Sequence, residues 1–206
     1  DDAAGIGIFA SGENILVQNN SIINTGFNGI QFNGNYTVVK NNYVDTFCLI
    51  KSDGGGIYTF GKAEYQSYRG RKIEGNIIIN GIGSIYGAPK RGVEFKLLAE
   101  GIFLDDNSNN ITISGNTIAN ITNSGLKIAN GNTISVSDNL FFNTHAAITL
   151  GNSLIGNDTR KINIENNQFF AKRSDQYSYA IKTYKDDLSL MANFDKNYFF
   201  RPLGDE

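Results

Sequence analysis

Two segments of this 206-residue chain combine acids, glycines and aromatic rings at spacings that could do chemistry. In Lys51-Ser52-Asp53-Gly54-Gly55-Gly56-Ile57-Tyr58-Thr59 an acid sits at the turn into a strand, and three glycines let backbone crowd close to a ligand. In Glu100-Gly101-Ile102-Phe103-Leu104-Asp105-Asp106-Asn107-Ser108 a strand ends on paired carboxylates. Aligned on Gly56-Ile57 and Gly101-Ile102, the segments become strands about 4.8 Å apart. The outward side chains then form two ladders. One is Asn33, Phe60, Asp105, Ala129, Gly151 and Tyr184; the other is Gln31, Tyr58, Phe103, Lys127, Thr149 and Lys182. Rings beside a carboxylate on a flat β-face suit a carbohydrate, whose C–H faces stack on aromatics while its hydroxyls bond to Asp, Asn and Gln. The same alignment puts Asp53 three residues before its anchor and Asp105 four after, at opposite ends of the strand unless the Gly-rich turn folds back. Glu100, one residue before its anchor, is nearer to Asp53.

These segments belong to a unit that recurs seven times. Its first half is a Gly or Ala followed by an apolar residue: Gly5-Ile6, Gly29-Ile30, Gly56-Ile57, Gly101-Ile102, Gly125-Leu126, Ala147-Ile148 and Ala180-Ile181. Its second half is an Asn with an apolar or aromatic residue close behind: Asn20, Asn42, Asn76, Asn116, Asn139, Asn167 and Asn197. Within a unit apolar and polar positions alternate, as in Asn110-Ile111-Thr112-Ile113-Ser114, which is the period of a half-buried strand. A repeat of this length made of strands means stacked coils. The Asn residues are expected to stack from coil to coil, each amide donating to the carbonyl of the next. The third unit is longer by two stretches, 61–72 and 83–96, rich in rings and cations: Tyr65, Tyr68, Tyr86 and Phe95 with Lys62, Arg69, Arg71, Lys90, Arg91 and Lys96. Insertions of a solenoid tend to lie on one face, often the binding face, and the groove is expected across the second to fourth coils.

In this repeat the chain resembles a single-stranded right-handed parallel β-helix of the pectate-lyase-like superfamily, an all-β solenoid of about seven coils with loop insertions in the third. The resemblance runs from Gly5 to Phe200, and residues 1–206 are read as one parallel β-helix domain of a longer chain. It is specific for fold and nearly silent on reaction, since enzymes, phage tailspikes and adhesins all use it. The Asp53–Tyr58 and Gly101–Asp106 segments further resemble those of β-helical glycoside hydrolases of bacterial polysaccharide degradation. That resemblance implies that Asp53 and Asp105 or Asp106, with Glu100 as a rival, are the acids about a scissile glycosidic bond. It also implies that Tyr58, Phe60, Phe103, Lys127, Asn33, Arg91 and Lys96 contact a polysaccharide or oligosaccharide, and that the protein is secreted or periplasmic. A glycosidase needs one protonated and one ionised carboxyl, about 5–5.5 Å apart for retention or about 6.5–9.5 Å for inversion.

Two other chemistries stay open. A polysaccharide lyase would use a Lys or Arg base, from Lys96, Lys51, Arg91 or Arg71, with Ca²⁺ on Asp105 and Asp106; a hydrolase needs no cofactor. A sugar-binding or structural solenoid would use Asp105-Asp106-Asn107-Ser108 only as turn chemistry.

Composition narrows the rest. A net charge of −2 with scattered Lys and Arg offers no basic face for nucleic acid, and no apolar run is long enough to cross a bilayer. Cys48 has no second cysteine to pair with and reads as a small packed hydrophobe. His145 reads as a bonded turn residue. The Asn-x-Ser/Thr triplets are by-products of the repeat and do not establish glycosylation. Open strand edges at both ends invite association, so the terminal caps are expected from flanking sequence or from a partner.

Overall fold

The computed structural model describes residues 5–61, 67–85, 90–91, 94–95, 97–152 and 156–201, with backbone alone at 90, 91, 94 and 95. Among them the chain winds through seven coils, each laying one strand on each of three faces. The first face carries Ile8–Ser11, Ile30–Asn33, Gly54–Phe60, Ala99–Asp105, the second half of Thr117–Ala129, the second half of Leu140–Gly151, and Tyr177–Lys182. The second runs from Leu16–Gln18 through Arg71–Glu74 and Asn132–Ser137 to Ala192–Asp195. The third runs from Ser21–Ile23 through Ile77–Gly81 to Tyr198–Phe200. Every pairing between coils is parallel. In the fifth and sixth coils one long strand rounds the corner from third face to first, with a register shift between Ile121 and Ser124.

Alternation decides which side chains fill the interior. Ile57, Ile102, Leu126 and Ile148 stack from the first face, Ile73, Ile113, Val136 and Ile164 from the second, and Ile78, Ile118, Phe141 and Phe169 from the third; all are buried. The Gly anchors have a packing cause. A Cβ at Gly29, Gly56, Gly101 or Gly125 would meet a third-face core side chain at 2.5 to 2.6 Å: Val44, Ile78, Ile118 and Phe141 respectively. The third face thus fills the room that the anchors leave empty.

The turn from second to third face repeats in every coil. Asn19, Asn41, Gly75, Gly115, Asp138, Asn166 and Lys196 are all left-handed, with φ between 50° and 64°, and each precedes a ladder asparagine. The ladder is continuous: the side-chain amide of Asn20 donates to Oδ1 of Asn42, and so on through Asn76, Asn116, Asn139, Asn167 and Asn197, at 2.9 to 3.0 Å. Each backbone N–H joins the same acceptor. Buried amides are thereby satisfied where the chain must turn inside a dry corner.

The structure corrects the ends of the repeat. Ile8 pairs with Ile30, so the first anchor is Gly7-Ile8, 22 residues before Gly29. At the other end Ala180-Ile181 pairs with Thr149-Leu150, so Lys182 lies beside Gly151 and Tyr184 falls past the strand. Both slips are of two residues. A period of two makes such a slip invisible to alternation, because the same parity faces inward. Tyr179 takes the interior place next to Ile148 and packs on Phe169, Phe194 and Phe199.

The inserted stretches also differ from expectation. Arg71 and Tyr68 are buried, not displayed: the Arg71 guanidinium lies 4.0 Å over the Tyr68 ring and donates to Thr59 Oγ1 and the Asn109 carbonyl. Arg71 pairs in register with Ile111, an interior position. A short antiparallel pair, Lys90–Arg91 with Glu94–Phe95, interrupts the second stretch. Lys62, Tyr65, Tyr86 and Lys96 lie outside the described residues, and Lys90, Arg91 and Phe95 are described by backbone alone. Among the described residues no helix is long and apolar enough to cross a membrane, which says nothing of β-barrels.

Candidate functional site

The two acid-bearing segments are adjacent strands, with Ile57 beside Ile102, Tyr58 beside Phe103 and Phe60 beside Asp105. The Asp53 backbone N–H donates to the Leu98 carbonyl, and Asp53 stands just before the strand Gly54–Phe60. Asp53 and Asp105 therefore start from opposite ends of the strand pair. The three glycines before Ile57 serve neighbouring protein: a Cβ on Gly54 would meet the Phe27 ring at 2.5 Å, and one on Gly56 would meet Ile78.

Lys127, one coil further on and in register with Phe103, draws the acids together. Its Nζ lies 3.3 Å from Glu100 Oε1, 3.6 Å from Asp53 Oδ1 and 4.1 Å over the Phe103 ring. Two oxygens on one ammonium at those distances are at most about 7 Å apart, within reach of either glycosidase spacing. Their surroundings differ. The Asp53 side chain is 53% exposed, whereas that of Glu100 is sealed at 0%. Glu100 Oε2 accepts from the Ser124 backbone N–H and Oε1 from Asn123 Nδ2, both at 2.7 Å. Burial raises its carboxyl above the ordinary 4.5, and Lys127 with the two donors opposes that rise.

At the far end Asp105 is half-buried. Tyr58 Oη donates to its Oδ2 at 2.9 Å and the Asp106 backbone N–H to its Oδ1 at 3.0 Å. Burial raises the Asp105 carboxyl above the usual value, while the Tyr58 bond pulls it back. The Tyr58 phenol is itself raised by burial and by the Asp105 charge. Asp106 is exposed.

The aromatic surface is less open than the alternation implied. Phe103, expected in solvent, is only 2% exposed, because the Tyr58 ring covers it edge-on at 5.4 Å and Lys127 lies over it. Phe60 leans on Tyr58 at 6.1 Å. Asn33 is buried, and its Oδ1 accepts from the Gly34 N–H. Bulky outward residues on the third and fourth coils thus cover one another, and the open space lies further along. Two grooves, of about 480 Å³ and about 550 Å³, run over the fourth to seventh coils and share Leu98, Asn123 and His145. The first has Asp106 and Lys127 at one end, Tyr177 and Tyr184 along its side, and small residues such as Ala129, Ala146 and Ala180 as its floor. The expected position across the second to fourth coils is therefore displaced.

His145 is not a turn residue: it stands exposed on the Leu140–Gly151 strand where the grooves join, edge-on to Tyr177 at 5.6 Å. Ser124, whose Oγ lies 2.7 Å from Thr149 Oγ1, and Asn123 had no sequence signal beyond lying just before an anchor. Among the described residues no three His, Cys, Asp or Glu side chains gather as a metal-binding set.

Residues 1–170 match the family described as "Right handed beta helix region". The chain belongs to that family. No curated protein matches it. Among solved structures, the catalytic unit of a thermostable GH87 α-1,3-glucanase from Streptomyces thermodiastaticus aligns at 12% identity and TM-score 0.42, over 98% of this chain and 47% of that one. The A-module of the mannuronan C-5 epimerase AlgE6 from Azotobacter vinelandii aligns at 11% identity and TM-score 0.34, over 92% and 58%. The β-helix thus spans about half the length of the solved chains it resembles.

Proposed function

We propose that this β-helix is a carbohydrate-active protein that hydrolyses glycosidic bonds of a polysaccharide lying in the groove of the fourth to seventh coils. The observation that carries the reading is the convergence of Asp53 and Glu100 on Lys127, which together with Asp106 lines an open groove whose volume suits an oligosaccharide.

Asp105, whose burial favours the protonated form, is the proton donor to the departing glycosidic oxygen. The ionised partner is Asp106, exposed in the groove wall, or Asp53 on Lys127. It either takes a proton from the attacking water, with inversion, or attacks the anomeric carbon and leaves a glycosyl ester that water then cleaves, with retention. Glu100, sealed from solvent, holds Lys127 in place and does not touch the substrate. A secreted or periplasmic location accompanies this reading, as polysaccharide substrates lie outside the cytoplasm.

Elimination is the competing chemistry. Of its expected bases, Arg71 is enclosed in the coil and Lys51 lies over the Phe27 ring at 4.8 Å, away from the groove. Among the described residues no third His, Cys, Asp or Glu side chain joins Asp105 and Asp106 to make the acidic set a calcium ion would need, and no step is routed through a metal.

Incubation with a panel of polysaccharides, read by new reducing ends and by ultraviolet absorbance, separates these routes. Hydrolysis gives reducing ends without an unsaturated sugar, and Asp105→Asn lowers the rate at least about 100-fold with the fold intact. An absorbing product overturns hydrolysis in favour of elimination. Binding without cleavage leaves a sugar-binding solenoid.

A further inference from the structure

Gly151 is a glycine that the fold does not need. It ends the Leu140–Gly151 strand, beside Ala129 on one coil and Lys182 on the next. Its backbone is not left-handed, and a Cβ built on it meets nothing within 4 Å. The other first-face glycines with ordinary φ are each pressed by a neighbour at 3.0 Å or less. A strand glycine loses conformational entropy and contributes no packing, and it often marks a place that another group approaches. Here the space in front of it is part of the groove.

What borders that space is charged and aromatic. The Lys182 ammonium, one strand away at about 4.8 Å backbone spacing, stands 5.1 Å from the centre of the Tyr184 ring and has no carboxylate partner among the described residues. Lys127, at the acid end of the same groove, is already engaged by Glu100 and Asp53. Asp106 is the one carboxylate among the described residues lining this groove, and it lies at that same end. A protein of net charge −2 therefore presents, beside the small residues of the groove, a cation whose neighbour is a ring and not a carboxylate.

We infer that the shelf of Ala129 and Gly151, with Lys182 and Tyr184 at its edge, is a subsite for an acidic sugar residue, one that carries a carboxylate or a sulfate. The sugar ring lies on the small residues, its anionic group meets the Lys182 ammonium, and its C–H face reaches Tyr184. This inference rests on the carbohydrate reading of the groove and adds the charge of the ligand to it.

Calorimetric titration of the full chain with polygalacturonate and alginate oligosaccharides, against neutral maltohexaose and cellohexaose, tests it. Acidic oligosaccharides are expected to bind at least about tenfold more tightly, with affinity falling as salt rises. Lys182→Gln is expected to remove most of that preference. Gly151→Val is expected to weaken acidic binding at least about tenfold without lowering the melting temperature, because its side chain enters empty space and suits a strand. Equal affinity for neutral and acidic chains, or an unchanged preference in Lys182→Gln, overturns the subsite and leaves the carbohydrate reading standing. Acidic binding without bond cleavage supports the subsite and overturns the hydrolase. Absence of binding to every chain overturns both.

Discussion

At the scale of single residues the most consequential contact is Lys127 on Glu100, a charge pair in which one member is wholly enclosed. Removing one partner from a buried pair leaves an uncompensated charge and costs more than the pair contributed. Lys127→Met is therefore expected to lower stability by about 3 kcal/mol in urea denaturation at neutral pH. Glu100 also sets a pH dependence. Its carboxyl is raised by burial, so the folded chain holds that proton more tightly than the unfolded chain does. The stability it contributes is complete below the ordinary 4.5 and is lost as pH rises through the raised value. Urea midpoints measured across that window should fall with pH in the parent chain, and Glu100→Gln should flatten the slope. An unchanged slope in the variant would assign the dependence to Asp105 instead.

The element scale is governed by two ladders, one of amides and one of missing side chains. Asn116 sits mid-ladder: its Oδ1 accepts from the Asn76 N–H and amide, while its own amide donates to the Ile73 carbonyl and to Asn139. Asn116→Ala strands several buried polar groups and should cost about 3 kcal/mol or more, whereas Asn20→Ala at the exposed end should cost under about 1 kcal/mol; chemical denaturation compares them directly. The glycine ladder makes a paired prediction. A Cβ on Gly101 would strike the Gly125 carbonyl at 2.4 Å and Ile118 at 2.5 Å, so Gly101→Ala must push strands apart. A loss of about 2 kcal/mol or more is expected there, and none in Gly151→Ala.

Over the whole molecule, stability is shared between neighbouring coils, since the strands of each coil pair only with those of the coils before and after it. Cys48, just past the third-face strand Tyr43–Phe47, reports on the second coil from inside. It is 0% exposed, and burial pushes its thiol up to about 12. A thiol-reactive dye should label it only as fast as the coils open, so labelling and loss of circular dichroism should share one denaturant midpoint. Labelling at a lower midpoint would mean that this part of the solenoid opens on its own.

Much of this architecture was legible in the sequence because it comes from near-neighbour rules. The Gly and Asn anchors and the period-two alternation specify stacked strand coils, about seven of them, and a continuous amide stack, and each of these depends on residue type at fixed spacing; that each coil carries three strands came from the pairing. The ends of the repeat were not legible, because a two-residue slip preserves the inward and outward pattern and only pairing with the adjacent coil selects the register of Gly7-Ile8 and Tyr179. Nor was the location of the open surface. Alternation assigned Phe103 an outward direction but could not foresee that Tyr58 and Lys127 would cover it, nor that Gly151 and Ala129 would leave a floor bare two coils away. Outward direction is a local property of the strand, whereas exposure depends on side chains from other coils, brought within about 5 Å only when the chain has wound.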